Sequence, residues 1–380
     1  MGNSKKLAGL YIHIPFCRKR CLYCDFYSCL PQIGDIDRYI AAIGTEAVGR
    51  DDFAGYRFDT VFLGGGTPSI LSPRQITAFF QNLRGSLEIA SNAEITIESN
   101  PSSIDDVRLS AYRNCGINRV SLGIQSFNDR HLQTLGRLHD SREARGAFNT
   151  IRKAGFQNVS LDLIYGLPEQ TIAEWETDLQ YALELQPEHI SAYNLIIEPG
   201  TPFGNMYANG ELLLPSEDTQ SEMYDMLNIA LDKSGLSRYE ISNFARDGRE
   251  CRHNMKYWHL EPYLGLGPAA VSYNETTRRK NKEDLDGYLA ALTNLKSPPY
   301  EIESLTSLSL RNEVIMMGLR LSEGLSIDEI KRRFDYDICG EKRDILDILI
   351  SAGYLAIDDN RIFLTPQSLF ISDEVIIKLL

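Results

Sequence analysis

The 380-residue chain lacks several features that would classify it at once. No apolar run approaches the roughly 20 residues of a membrane-spanning helix, so no transmembrane segment is expected. The opening MGNSKKLAGLYIHIPF carries lysines, but its apolar run is short, is broken by His13 and Pro15, and has no small-residue cleavage site. It does not read as a signal peptide. Lys6 stands where a myristoylation signal on Gly2 would want Ser or Thr. A positive surplus is also missing: 39 Lys and Arg against 52 Asp and Glu leave −13. That excludes broad binding to nucleic acid or anionic membrane, both of which reward clustered cations. Seven cysteines are an odd number with no export signal beside them. A disulfide framework is therefore not expected, and the cytoplasm is the default compartment.

What is present is ample for a packed core, with 43% hydrophobic residues. The length suits one large domain with a smaller companion. Six β-rich runs recur, at residues 10–16, 60–66, 94–100, 119–127, 159–167 and 189–197. Their spacing leaves room for a crossover helix each time, and the intervening segments read as helices. Ser72 followed by Pro73 is an N-cap with proline at the first helical position. RNCGINRV, RKAGFQNV and DKSGLSRY each place a glycine (Gly116, Gly155, Gly235) where a helix would stop in a left-handed residue before a strand. Repeated βα units predict parallel strands, and six are too few to close an eight-stranded barrel. The expected fold is α/β, a partial (β/α)6 TIM-like barrel over residues 1–215 with an extension at 216–300. Residues 301–380 change character: helices over 308–321, 326–334 and 341–352 precede a hairpin turning at Asp358-Asp359-Asn360. This predicts a small winged-helix-like C-terminal domain. With 9 Lys and Arg against 13 Asp and Glu in residues 306–380, it suits protein contact better than DNA.

Functional residues of a parallel βα barrel gather at the C-terminal strand ends. The first run leads into HIPFCRKRCLYCDF, with Cys17, Cys21 and Cys24 in a C-x3-C-x2-C spacing. The other four cysteines (Cys29, Cys115, Cys251, Cys339) are scattered and read as small apolar residues. Three thiolates suit an iron–sulfur cluster with one iron open to an outside ligand. The alternative is zinc, with His13 or Cys29 as fourth ligand.

The trio, with the aromatic Tyr23, resembles the cysteine motif of the radical S-adenosylmethionine (SAM) superfamily. That resemblance implies a [4Fe–4S] cluster on Cys17, Cys21 and Cys24, with SAM on the fourth iron. GGGTP at 64–68 resembles the superfamily's glycine motif, although alone it could be an ordinary tight turn. YIHIPFCRKRCLYCDF, GGGTPS, IESNP, LGIQSF, LDLIYGLP and HNMKYW occur in order. Together they resemble the branch that holds oxygen-independent coproporphyrinogen III oxidase and the HemW-type heme chaperones. The resemblance implies a SAM site formed by Tyr11, Tyr23, Gly65, Gly66, Thr67, Glu98, Gln125, Arg137 and Asp162. Glycines there let backbone carbonyls approach an ammonium, Glu98 can accept from ribose hydroxyls, and the last three offer a polar set for ribose or carboxylate. Taken singly, Asp162 could be a satisfied core carboxylate and Arg137 a surface residue.

Two departures separate this chain from the oxidases. Phe26 stands where they typically carry a further cysteine, and only about nine residues precede Leu10, where they carry an extension. His253, Asn254, Tyr257 and Trp258 form the HNxxYW pattern associated with HemW-type proteins, which makes them candidate heme contacts. Imidazole is an ordinary heme ligand and aromatic rings can flank a porphyrin. A structural histidine and a core tryptophan beside Tyr263 are the alternative reading, with His259 and Cys251 as neighbouring donors. The resemblance implies a cytoplasmic heme chaperone that passes heme to membrane or respiratory heme proteins. The other reading is the radical oxidase.

Overall fold

A computed structural model of the chain describes residues 5–380; Gly2, weighed above for myristoylation, lies outside the described residues. Strands β1 (Lys6–Ile14), β2 (Tyr56–Gly65), β3 (Ile89–Ser99), β4 (Arg119–Gln125), β5 (Val159–Tyr165) and β6 (His189–Asn194) follow the six β-rich runs. They lie side by side in chain order, all parallel. The segment after residue 216 builds on both edges of this sheet. Beyond β6 it adds β7 (Ser237–Arg238) and β8 (Asn243–Ala245), with β8 lying against β6. Beyond β1 it adds β9 (Tyr263–Leu266), β10 (Val271–Tyr273), β11 (Thr277–Asn281) and β12 (Tyr300–Ser304). β9 is parallel to β1, so seven strands run one way and the barrel stays open.

Local signals explain the units. Ser72 caps helix Pro73–Ser86 through a reciprocal pair with Gln75, an arrangement whose cap is worth about 1 kcal/mol. Gly116, Gly155 and Gly235 all take positive φ, so each helix turns sharply into its strand. Along the strands the side chains alternate. Leu10, Ile12, Ile14, Leu63, Ile97, Leu122 and Leu161 point outward into the helical layer and are fully buried. Each such side chain contributes about 1.5–3 kcal/mol of burial. The residues between them face inward and are mostly polar. A parallel sheet covered on both faces would be apolar throughout, so this alternation marks a polar lumen.

The C-terminal unit has the expected helices, at Ser307–Arg320, Ile327–Phe334 and Arg343–Ser351. Its hairpin of β14 (Leu355–Asp358) and β15 (Arg361–Leu364) gains a third strand, β13 (Leu325–Ser326). The unit joins both edges of the open sheet. On one side Ser322 donates from its amide to the Tyr239 carbonyl at 2.9 Å and from its hydroxyl to the Arg238 carbonyl at 2.7 Å. On the other, Arg278 of β11 forks onto the Glu313 carboxylate at 2.9 and 2.8 Å.

Candidate functional site

β1 ends at Ile14, and the chain then enters a loop whose neck is tied by two backbone bonds. The Cys29 amide donates to the Pro15 carbonyl at 2.7 Å, and the Cys17 amide to the Cys29 carbonyl at 3.0 Å. Phe16 anchors the neck edge-on against Tyr39, with ring centres 5.5 Å apart. The far side of the loop rests over the ends of β4 to β6. The Leu22 amide donates to the Leu135 carbonyl at 3.1 Å, and the Leu22 carbonyl accepts from the Phe203 amide at 3.0 Å. Leu22 and Tyr23 pack on a small core of Leu135, Ile164, Leu167, Leu195, Phe203 and Leu212. The loop is therefore held at both ends, with Cys17, Cys21 and Cys24 half-buried and free. Burial pushes the Cys24 thiol up to about 11, helped by the nearby Cys21 and Cys17. Phe26 turns outward, 63% exposed.

The glycine run at the end of β2 is laced to the neck of this loop. Gly66 donates to the Ile14 carbonyl and Thr67 to the Phe16 carbonyl, both at 2.8 Å. The Thr67 hydroxyl lies 3.5 Å from the Cys17 sulfur. Gly65 has φ +104°, and a Cβ there would lie 2.7 Å from the His13 ring. Only glycine fits this position. The Gly65 amide donates to a Glu98 carboxylate oxygen at 3.2 Å.

Below the thiols, the residues named from the resemblance are brought together on the inner face. Tyr11, Gly65, Gly66, Thr67, Glu98, Gln125, Arg137 and Asp162 are all partly accessible, while many neighbours along the strands are closed off. Gln125 carries φ +71° at a register shift between β4 and β5, an unusual conformation for a residue with a side chain. Arg137 donates to the Gly123 carbonyl at 2.6 Å and reaches the Cys21 sulfur at 3.5 Å. Tyr23 interacts with the same sulfur and the same guanidinium. Glu98 is only partly accessible, and its enclosure by protein, with the Asp162 charge, pushes its carboxyl up to about 8. Asp162 takes bonds from the Ser121 hydroxyl at 3.0 and 3.1 Å; burial still raises it.

These residues fit a cluster with an organic ligand on its open iron. On the inner face, the buried Nε of Arg137 and the hydroxyl of Thr96 have no partner. A cluster spreads its thiolates over separate irons, whereas a single ion needs its donors to converge. Among the described residues, no three or more His, Cys, Asp or Glu side chains converge in that way. Of the two candidate fourth ligands for zinc, His13 is already engaged, which leaves Cys29 alone. His13 uses Nδ1 on the Tyr11 hydroxyl at 3.1 Å and Nε2 on the Tyr27 carbonyl at 2.8 Å.

The HNxxYW segment forms helix Arg252–Trp258 at the opposite, N-terminal end of the strands. His253 is fully buried there. Its Nδ1 lies 2.8 Å from the Thr60 hydroxyl and its Nε2 2.8 Å from the Tyr257 hydroxyl. Burial, with the Lys256 charge, pushes the imidazole down to about 3, so the ring is neutral. Both nitrogens are engaged and the ring is enclosed, so the expected heme contact through His253 does not fit this conformation. Tyr257 stands edge-on to Tyr263 at 4.6 Å, Asn254 is half-buried, and the Trp258 indole nitrogen is buried without a partner.

Arg119, Ser121 and Phe62 also line the lumen and were not singled out from the sequence. Arg119 is buried with its Nε unpartnered; burial opposes its charge, but Cys251, Glu94, Tyr239 and Asp162 hold it. The signal was a period of two: Thr60, Phe62, Gly64; Glu94, Thr96, Glu98; Arg119, Ser121, Gly123; Ser160, Asp162.

Comparison with known proteins agrees with this geometry. A family model of the radical SAM superfamily matches residues 11–182, and one of the HemN C-terminal domain matches residues 305–371. The protein named heme chaperone HemW of Bacillus subtilis is 34% identical over 371 residues, spanning 97% of this chain and 98% of that one. The Synechocystis protein of that name is 40% identical over 333 residues, spanning 86% and 81%. Among solved structures, coproporphyrinogen III oxidase (HemN) from Escherichia coli, a radical SAM enzyme, superposes with a TM-score of 0.84 at 25% identity. It covers 99% of this chain and 90% of that one.

Proposed function

The chain belongs to the radical SAM superfamily and, within it, to the family of the HemW heme chaperones, and from that premise we propose that it binds heme and hands it on. The observation that carries this reading is the likeness to relatives named heme chaperone HemW along nearly the whole chain. Cys17, Cys21 and Cys24 would each give one thiolate to a [4Fe–4S] cluster, leaving the fourth iron to SAM. When bound, that cluster supplies one-electron chemistry. The chain's own part is to hold SAM against it. The carbonyls of Gly65 and Gly66 and the Thr67 hydroxyl would face the amino group. Glu98 would accept from the ribose, and Gln125, Arg137 and Asp162, with Tyr11 and Tyr23, would complete the pocket. Recipients would be membrane or respiratory heme proteins, met from the cytoplasm.

A second reading has one observation in its favour, the superposition on coproporphyrinogen III oxidase. Anaerobic incubation of the reconstituted chain with coproporphyrinogen III, SAM and a reductant separates the two. Formation of protoporphyrinogen IX would sink the carrier reading. Hemin uptake without turnover, followed by transfer of heme to an apo-cytochrome, is the expected result.

A further inference from the structure

Three aromatic rings stack at the bottom of the lumen. His253 lies 5.3 Å from Phe62 at 25°, Phe62 lies 6.3 Å from Tyr11 at 26°, and Tyr11 lies 6.5 Å from His253 at 28°. The stack leaves no slack on either side. A Cβ on Gly9 would sit 3.0 Å from the His253 ring, so the absence of a side chain in β1 is what admits the imidazole. Above, a Cβ on Gly64 would lie 3.0 Å from Phe62, 3.1 Å from Tyr11 and 3.2 Å from a Glu98 oxygen. The imidazole is fixed in its own plane by Thr60 on one nitrogen and Tyr257 on the other. Its backbone amide donates to Glu94 at 3.3 Å. From Tyr11 the contacts continue upward, through its hydroxyl to His13 at 3.1 Å and from His13 to the Tyr27 carbonyl of the cysteine loop at 2.8 Å.

We propose that His253 is a positioning residue for the SAM pocket: stacked under Phe62 and Tyr11, it sets the seat of Gly64, Glu98 and Tyr11 and does not ligate heme iron. The inference rests on the reading that this chain binds SAM. An axial ligand needs a free nitrogen lone pair and an open face; His253 has neither, because both nitrogens bond protein hydroxyls and the ring is closed in. A pocket floor needs the opposite, a neutral ring locked in orientation and touching the residues above it. Close-packed groups pass on small displacements, so tilting the imidazole moves Tyr11 and the glycine run with it.

The test uses the full chain with its cluster reconstituted without oxygen, as wild type, His253→Ala, Thr60→Val and Tyr257→Phe. SAM is titrated by calorimetry and by its effect on the electron paramagnetic resonance of the reduced cluster. Hemin is titrated by its Soret absorption. The expected result is SAM affinity weakened about tenfold in His253→Ala and severalfold in the other two, in line with loss of a supporting contact. Hemin affinity and Soret position stay as in wild type. Tyr257→Phe removes one hydroxyl and keeps the ring, so it reports on positioning even where His253→Ala does not fold. Unchanged SAM affinity in the folded variants overturns the proposal, and so does a lost or shifted Soret band in His253→Ala. A wild-type chain that takes up no SAM sinks the reading beneath the proposal as well, and shows itself before any variant is compared.

Discussion

Two regions at opposite ends of the same strands differ in what their polar atoms are doing. At the C-terminal ends, the cysteine loop is pinned at its neck and far side, yet the Arg137 Nε has no partner, and the Cys17 and Cys21 sulfurs have only long contacts, at 3.5 Å, with Thr67 and Arg137. At the N-terminal ends, His253 has both nitrogens bonded and its amide taken by Glu94. Lys256 is paired with Asp59 at 3.0 Å and Glu261 at 2.8 Å. A rigid frame with open valences is built to receive a ligand, whereas a saturated cluster is built to hold shape. Each region carries a recognisable motif, and the difference between their candidate donors, Cys21 and His253, is one of satisfaction, although the Trp258 indole nitrogen is buried without a partner.

The contrast is broken most directly by moving one thiol. Cys21→Ser should abolish nearly all iron retention after anaerobic reconstitution, while Cys251→Ser at the other end leaves iron per chain unchanged. Equal loss in both would erase the distinction between the two ends. Next in size is backbone strain. Gly65→Ala puts a methyl on the His13 ring at a positive φ and should cost about 3 kcal/mol in denaturant unfolding. Gly34→Ala, at φ +87° in open space, should cost about 1 kcal/mol. Similar costs would mean that the glycine run is not wedged against the loop.

A pH series sharpens the electrostatic side. Folded Glu98 keeps its proton to about pH 8, against an ordinary value of 4.5. Between those values the folded chain binds the extra proton, so this group's contribution is complete below the lower value and is lost as pH rises through the upper one. In cluster-free protein, Glu98→Gln should therefore gain about 1–3 kcal/mol over wild type between about pH 5 and pH 8, read from urea midpoints. A flat difference would place the carboxyl in ordinary solvent. The smallest effect is reserved for Phe26→Ser, at a residue 63% exposed: iron content and melting temperature should not move. A fall in iron would give that position a part in the centre.

Much of the frame was legible beforehand because its causes are local. Ser72 with Pro73 starts a helix wherever it occurs, and glycine after a helix takes the left-handed turn at Gly116, Gly155 and Gly235. The C-terminal helices and the turn at Asp358–Asn360 followed from the same kind of signal. The lumen was less legible. Its period-two polar face runs through Thr60, Glu94, Arg119 and Ser160, but each strand also reads as a plain apolar run when its inward and outward residues are not separated. The two-edge attachment of the C-terminal unit, through Ser322 and Glu313, joins residues far apart in the chain and leaves no local trace.

By itself, then, the order of residues determined the repeated βα units, the spacing of three cysteines after the first strand, and the family to which they point, since each depends on neighbours within a few turns of chain. Only the tertiary structure decided which polar atoms were left open. His253 and Cys21 are both good donors on paper. Whether a donor meets protein or a ligand depends on what long-range packing sets within about 3 Å of it, and Thr60 lies 193 residues from His253.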